Sequence, residues 1–169
     1  MSTEYFELVD EDGNVIGKAT RQECHNNPAL LHQVVHIFVW NTKGELVLQF
    51  RPPHKDIQPN KWDTSVGGHV DPGETPIIAA HRELQEELGI QAELIFLYRY
   101  VWRCERESEL VSTYMCTTDT PLSPHPTELA DIKWWSPQEI NTALGTGLLT
   151  ENFELEWKQY NEHMSSPSS

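Results

Sequence analysis

Residues 67–90 read GGHVDPGETPIIAAHRELQEELGI, and this stretch decides the fold. Thr75 can accept from backbone N–H groups as an N-cap, Pro76 suits a first turn, and Gly89 suits a left-handed stop. Together they predict a helix over Pro76–Leu88. At about 100° per residue, Ile77, His81, Leu84 and Leu88 fall on one stripe, expected to face the core. Glu83, Glu86 and Glu87 gather on another face, where like charges three and four residues apart repel. A solvated surface is the ordinary explanation of such a face. Two features oppose it. Arg82 reaches Glu86 one turn on but cannot neutralise three acids. The helix also follows Gly67, Gly68 and Gly73, expected to form a bent loop with exposed carbonyls. Carboxylates beside a backbone carbonyl are the oxygen donors that Mg²⁺ prefers.

Working outward, Tyr5–Val9 and Val15–Ala19 flank DEDGN and predict a hairpin. Thr20 can cap a short helix over RQECHN. Gln33–Asn41 and Glu45–Arg51 predict two apolar strands joined by TKG. PPHKDIQPNKW, with three prolines, reads as loop. Beyond Gly89, AELIFLYRYVWRC and SELVSTYMCTT predict long strands and DIKWW a short one. SPQEINTAL and ENFELEWKQYNEHM predict helices, the last with Phe153 and Trp157 packed on the sheet. Trp62 and the Trp134–Trp135 pair read as core or edge packing. No repeat or linker interrupts the series. The expected fold class is α/β (α+β), a mixed β-sheet sandwiched between helices, in one domain over 1–163 with a disordered tail over 164–169.

Twelve Lys+Arg stand against 26 Asp+Glu in 169 residues, a formal charge of −14. That balance opposes nucleic-acid binding, which needs a basic face. An anionic small-molecule substrate would need local cations or bound metal. Cys24, Cys104 and Cys116 make no paired framework, which points to reduced thiols. The opening MSTEYFELVDEDGN has no signal-peptide pattern and no run matches a membrane span, so a cytoplasmic monomer or homodimer is expected.

The segment resembles the Nudix box, G-x5-E-x7-R-E-U-x-E-E-x-G-U with U a bulky aliphatic. Gly68, Glu74, Arg82, Glu83, Leu84, Glu86, Glu87, Gly89 and Ile90 occupy its positions without departure. The resemblance implies the Nudix fold, and cleavage of a diphosphate linked to another moiety with Mg²⁺ or Mn²⁺. It implies Glu83, Glu86 and Glu87 as metal ligands with the Gly68 carbonyl. Arg82, in the catalytic set, and Glu74 are implied to orient those carboxylates. The general base stays open between Glu86 and Glu128, which ends the loop PLSPHPTE.

A second resemblance is narrower. His25, His32 and His69, with Glu107 and Glu109 two apart on one strand, resemble the three-histidine, two-glutamate metal site of type I isopentenyl-diphosphate isomerase. A transition metal there is the implied alternative to simple packing. Arg21, Arg51 and Lys55 fall where that enzyme has basic residues for the substrate diphosphate, although its lysine near the first helix is arginine here. Two departures oppose isomerisation. The isomerase cysteine that serves as an acid, two residues before the histidine, is Gly67 here. Isomerases as a group also lose carboxylates from the box, whereas Glu83 and Glu86 remain. The expected function is hydrolysis of a nucleoside-diphosphate-like or other organic diphosphate. An isomerase, then a non-catalytic nucleotide-binding module, are the alternatives. His36, His81 and His163 read as structural.

Overall fold

The computed structural model describes residues 3–51, 60–124 and 131–165. Its centre is β3 (Leu31–Trp40), whose residues are buried on both faces, as a central strand requires, with His32, Gln33 and His36 among its apolar side chains. The strand β1 (Tyr5–Val9) pairs with β3 on one side and with β2 (Val15–Thr20) on the other, closing the expected hairpin. Thr20 then caps the short helix α1 (Arg21–Cys24) in a reciprocal box with Glu23. The strand β4 (Leu46–Phe50) returns antiparallel to β3, and β5 (Trp62–Asp63) pairs with β4. Beyond a helix, α2 (Pro76–Leu88), the strands β7 (Ile95–Arg103) and β8 (Ser108–Thr117) form an antiparallel pair. Here β8 lies parallel to β3 from Leu31↔Ser108 to Trp40↔Thr117. The strand β9 (Asp131–Trp135) adds to β4, and the helices α3 (Pro137–Ala143) and α4 (Glu151–Ser165) end the described chain.

The Gly67–Gly68 pair is not a loop. It belongs to a strand, β6 (Val66–His69), antiparallel to β3 through Val35↔Gly68 and His36↔Gly67. Only Gly73 of the three glycines has the left-handed φ, +85°. Backbone pairing overrides the local glycine signal, because the two residues must let other groups close onto their faces.

Alternation along β3 assigns each face a cover. Val35, Ile37 and Val39 meet Ala79, Ala80, Leu84 and Leu88 of α2. Phe38 meets Phe153, Trp157 and Tyr160 of α4, with Leu46, Leu48 and Trp135. This is the mixed sheet between helices that the pattern predicts, with Phe153 and Trp157 packed as expected. The stripe on α2 needs correction: Leu84 and Leu88 are buried, but Ile77 and Ile78 are exposed and His81 is half-buried. Ala79 and Ala80 take the contact because small residues let the helix lie close to β3. The helix α4 runs through Ser165, two residues into the stretch expected to be tail. No helix of the described residues is long and apolar enough to cross a membrane.

Candidate active site and candidate metal centre

On the α2 face, the Thr75 cap and the left-handed Gly89 fix the helix ends, which sets the height of its glutamates over β6. A Cβ on Gly68 would lie within 2.6 Å of both Glu83 carboxylate oxygens, so only glycine lets that carboxylate rest on the strand. Burial raises the Glu83 pKa, while hydrogen bonds from Glu87 and Arg82 pull against it. Glu87 is also buried and accepts from Gln49 Nε2 at 2.9 Å. Glu86 is half exposed.

Arg82 does more than reach Glu86. Its Nε and Nη2 donate to the two oxygens of Glu74 at 2.8 and 2.9 Å, a bidentate fork. Nη1 donates to Glu83 at 2.7 Å and to Glu86 at 3.3 Å, and Nη2 donates to the His69 carbonyl at 3.0 Å. Asp71 stands 3.4 Å away. Hydrogen bonding from Arg82 lowers the Glu74 pKa, and Glu74 and its neighbours raise that of Arg82. Glu74 also accepts from the Asp71 N–H, so one guanidinium ties the turn before α2 to the helix.

On the opposite face, the histidines and glutamates of the narrower resemblance come together. His69 follows Gly67 by two on β6, and His32 on β3 lies in register with Glu109 on β8. His25 Nε2 is 3.3 Å from His69 Nε2 and 3.7 Å from Glu107 Oε2, and His32 Nε2 is 3.7 Å from Glu109 Oε2. The ligand atoms of His25, His32 and His69 all lie within 4.8 Å of one another, as do those of His32, Glu107 and Glu109. Donors about 2.1 Å from a shared ion stand roughly 3.0–3.4 Å apart, so these separations suit a metal after a slight contraction. Buried Phe6 stacks on His69 and His32 at centroid distances of 4.5 and 5.2 Å, fixing both rings.

The chemistry of this donor set agrees. Burial lowers His32 to about 4, helped by His25, and lowers His69 well below its usual value, so both rings are neutral near pH 7. Neither nitrogen of the fully buried His32 makes a hydrogen bond. A buried imidazole left that way is costly unless something binds it. Burial, with Glu107 beside it, pushes Glu109 up to about 8. A cation would relieve both strains.

Not every expected residue joins these two groups. Arg21 pairs with Glu4 at 3.2 Å and lines an open cavity of about 440 Å³ with His25 and Arg106. Arg51, leaving β4, pairs with Asp63 at 3.5 Å. Lys55 and Glu128 lie outside the described residues. Gln49, Asp71 and Arg106 escaped the sequence reading; only the inward alternation of β4 hinted at Gln49. Trp135 is buried and Trp62 and Trp134 pack beside the core, as expected.

The NUDIX domain family matches residues 30–153. The chain belongs to the Nudix family. An isopentenyl-diphosphate Delta-isomerase of Nocardia farcinica is 34% identical over 170 residues, covering 92% of this chain and 96% of the relative. An uncharacterized Nudix hydrolase of Yersinia pestis is 34% identical over 139 residues, covering 81% and 75%. The crystal structure of the DR0079 protein from Deinococcus radiodurans superposes with a TM-score of 0.78 at 25% identity, covering 92% of this chain and 98% of that one. The Nudix fold and an enzyme of the class that hydrolyses pyrophosphate bonds are thereby established.

Proposed function

We propose that this Nudix protein hydrolyses the diphosphate linkage of a small organic diphosphate, using Mg²⁺ or Mn²⁺ held by Glu83, Glu86, Glu87 and the Gly68 carbonyl. The observation that carries the reading is the Glu83 carboxylate lying against the Cα of Gly68, beside buried Glu87, at the foot of an intact acidic helix. When bound, divalent metal neutralises the diphosphate oxygens and makes water a stronger acid. Gln49 fixes the Glu87 carboxylate, and Arg82 with Glu74 fixes the turn and the direction of Glu83. Glu86 is the most exposed of the three and, among the described residues, is held by the 3.3 Å contact from Arg82, so it can turn to accept the proton of an attacking water. Glu128 is the other base to test. Arg21, Arg51 and Lys55 supply cations for the substrate diphosphate in this proposal.

The second element of the proposal is a transition-metal site at His25, His32, His69, Glu107 and Glu109. Its support is the unpartnered His32 ring in a converged donor set. The same set favours an isomerase as the alternative reading, but Gly67 has no proton to give. Products of nucleoside diphosphate derivatives, nucleotide sugars, cofactor diphosphates and isoprenoid diphosphates, identified by mass after incubation with Mg²⁺, test the proposal. Cleavage at the diphosphate in natural protein, lost in Glu87→Gln, supports it. Cleavage undiminished in that variant moves the site elsewhere.

A further inference from the structure

His36 stands in the centre of β3, on the face opposite α2. Its Nδ1 is 2.5 Å from Glu156 Oε2 of α4. Glu156 is only 2% exposed, and Tyr100 donates to Oε2 at 3.1 Å while Thr113 donates to Oε1 at 2.8 Å. Both oxygens are therefore held, and the imidazole is fixed through Nδ1. Packing alone does not demand such a network, because apolar residues of similar volume commonly serve a buried pair's place equally well.

The other ring nitrogen is available. Nε2 of His36 has no hydrogen-bond partner among the described residues, and the side chain is 20% exposed. It looks onto the bare face of Gly67, where a Cβ would stand 3.8 Å away, so the missing side chain opens the approach. A cleft of about 30 Å³ lies here, with His36, Glu109 and Glu156 at its polar side and Trp102, Val111 and Leu155 among its apolar walls. That space admits one oxygen-sized group, not a branched hydrocarbon. Among the described residues β6 forms its ladder with β3 alone. Gly68 faces Glu83 and its neighbour Gly67 faces His36, so the α2 site and this cleft meet at adjacent residues of one strand.

We infer that His36 contacts the substrate, its Nε2 donating to one oxygen of the moiety attached to the diphosphate, and that this moiety therefore carries a hydroxyl or carbonyl group. The inference rests on the diphosphate reading above and narrows its substrate class. A bare hydrocarbon against His36 would leave the imidazole N–H without water or partner, roughly a tenfold loss of affinity. Burial pulls the His36 pKa down, but the Glu156 carboxylate and its hydrogen bond, with Glu109 and Asp63 beyond, hold it up at about 9. Nε2 is thus a donor near pH 7. Glu156 acts through His36 as a positioning residue.

The test uses alkyl diphosphates of two to six carbons and their ω-hydroxyl counterparts, titrated calorimetrically into the natural protein with Mg²⁺. At least one hydroxylated compound binds about tenfold tighter than its alkyl match. His36→Phe brings that ratio to one. His36→Gln, which keeps an N–H donor, retains part of it, and Glu156→Gln lowers it because the ring loses its anchor. Thermal melts of each variant identify any that fail to fold, and the Gln variants keep the test available if Phe does. A ratio of one in natural protein, a ratio unchanged in His36→Phe, or no binding across the series overturns the inference. Binding is read from the titration and turnover from the product masses, so a preference without hydrolysis would count against the hydrolase reading alone, and hydrolysis without preference against this inference alone.

Discussion

The two faces of Gly67–Gly68 solve the same problem differently. On the α2 face protein donors already hold the acids: Arg82 binds Glu74, Glu83 and Glu86, and Gln49 donates to one oxygen of Glu87. Among the described residues, Glu83, Glu86 and Glu87 form no triad with ligand atoms within 4.8 Å of one another. On the histidine face the donors already converge, and the His32 nitrogens go without hydrogen bonds. The difference teaches how each site should treat a cation. Carboxylates already held by arginine and glutamine suit an ion that arrives with substrate and leaves again. A buried, preformed nitrogen and oxygen set suits an ion that stays.

The largest effect expected from breaking this contrast is on catalysis. Glu87→Gln keeps shape and removes a charge, so hydrolysis of the best substrate should fall about 10²–10⁴-fold with little change in melting temperature. Gly68→Ala should fall by a comparable factor, since its Cβ expels the Glu83 carboxylate, whereas Gly67→Ala, whose Cβ narrows only the approach to His36, should lose no more than about tenfold. Steady-state kinetics on the three variants separate them.

Next in size is retention of metal. Protein never exposed to chelator should carry Zn²⁺ or Mn²⁺ by elemental analysis, with His32→Ala losing it while Glu87→Gln does not. Stripping should lower the melting temperature, because metal bound only by the folded state stabilises it. Metal-free protein as isolated would favour the packing reading of His25 and His32.

A smaller effect follows from His36 and Glu156. The His36 pKa is raised from 6.5 to about 9, so its contribution to stability is full below pH 6.5 and is lost as pH rises through 9. The Glu156 pKa is lowered, since His36 and the Thr113 and Tyr100 hydroxyls outweigh burial, so its contribution is lost on acidification below about 4.5. The melting temperature of natural protein should therefore fall between pH 6.5 and 9 by more than that of His36→Gln. Parallel curves would show that the pair does not titrate this way.

The smallest effect concerns Gly67. It lies in a strand without a left-handed φ, and a Cβ there would meet His36 Cδ2 at 3.4 Å, an ordinary contact. Gly67→Cys should change stability by less than about 1 kcal/mol.

Legibility in the sequence followed the range of the forces involved. The ends of α2 were readable because Thr75, Pro76 and Gly89 act on their own backbone. The acidic helix and the histidine spacing were readable as motifs. The β6 strand was missed, because the need for glycine there comes from Glu83 and His36, distant in sequence. The His36–Glu156 pair was out of reach for the same reason: the two residues are 120 apart on different elements. Ile77 looked like core by periodicity, yet the closeness of α2 to β3 through Ala79 and Ala80 decided the buried face.

The central claim is that the histidine face kept a metal-shaped donor set but lacks the isomerase acid, leaving hydrolysis to the α2 face. Incubating natural protein with isopentenyl diphosphate, Mg²⁺ and Zn²⁺ and separating the products tests it most directly. The account predicts no dimethylallyl diphosphate, with any turnover appearing as released phosphate or pyrophosphate. Sustained formation of the dimethylallyl isomer would contradict it.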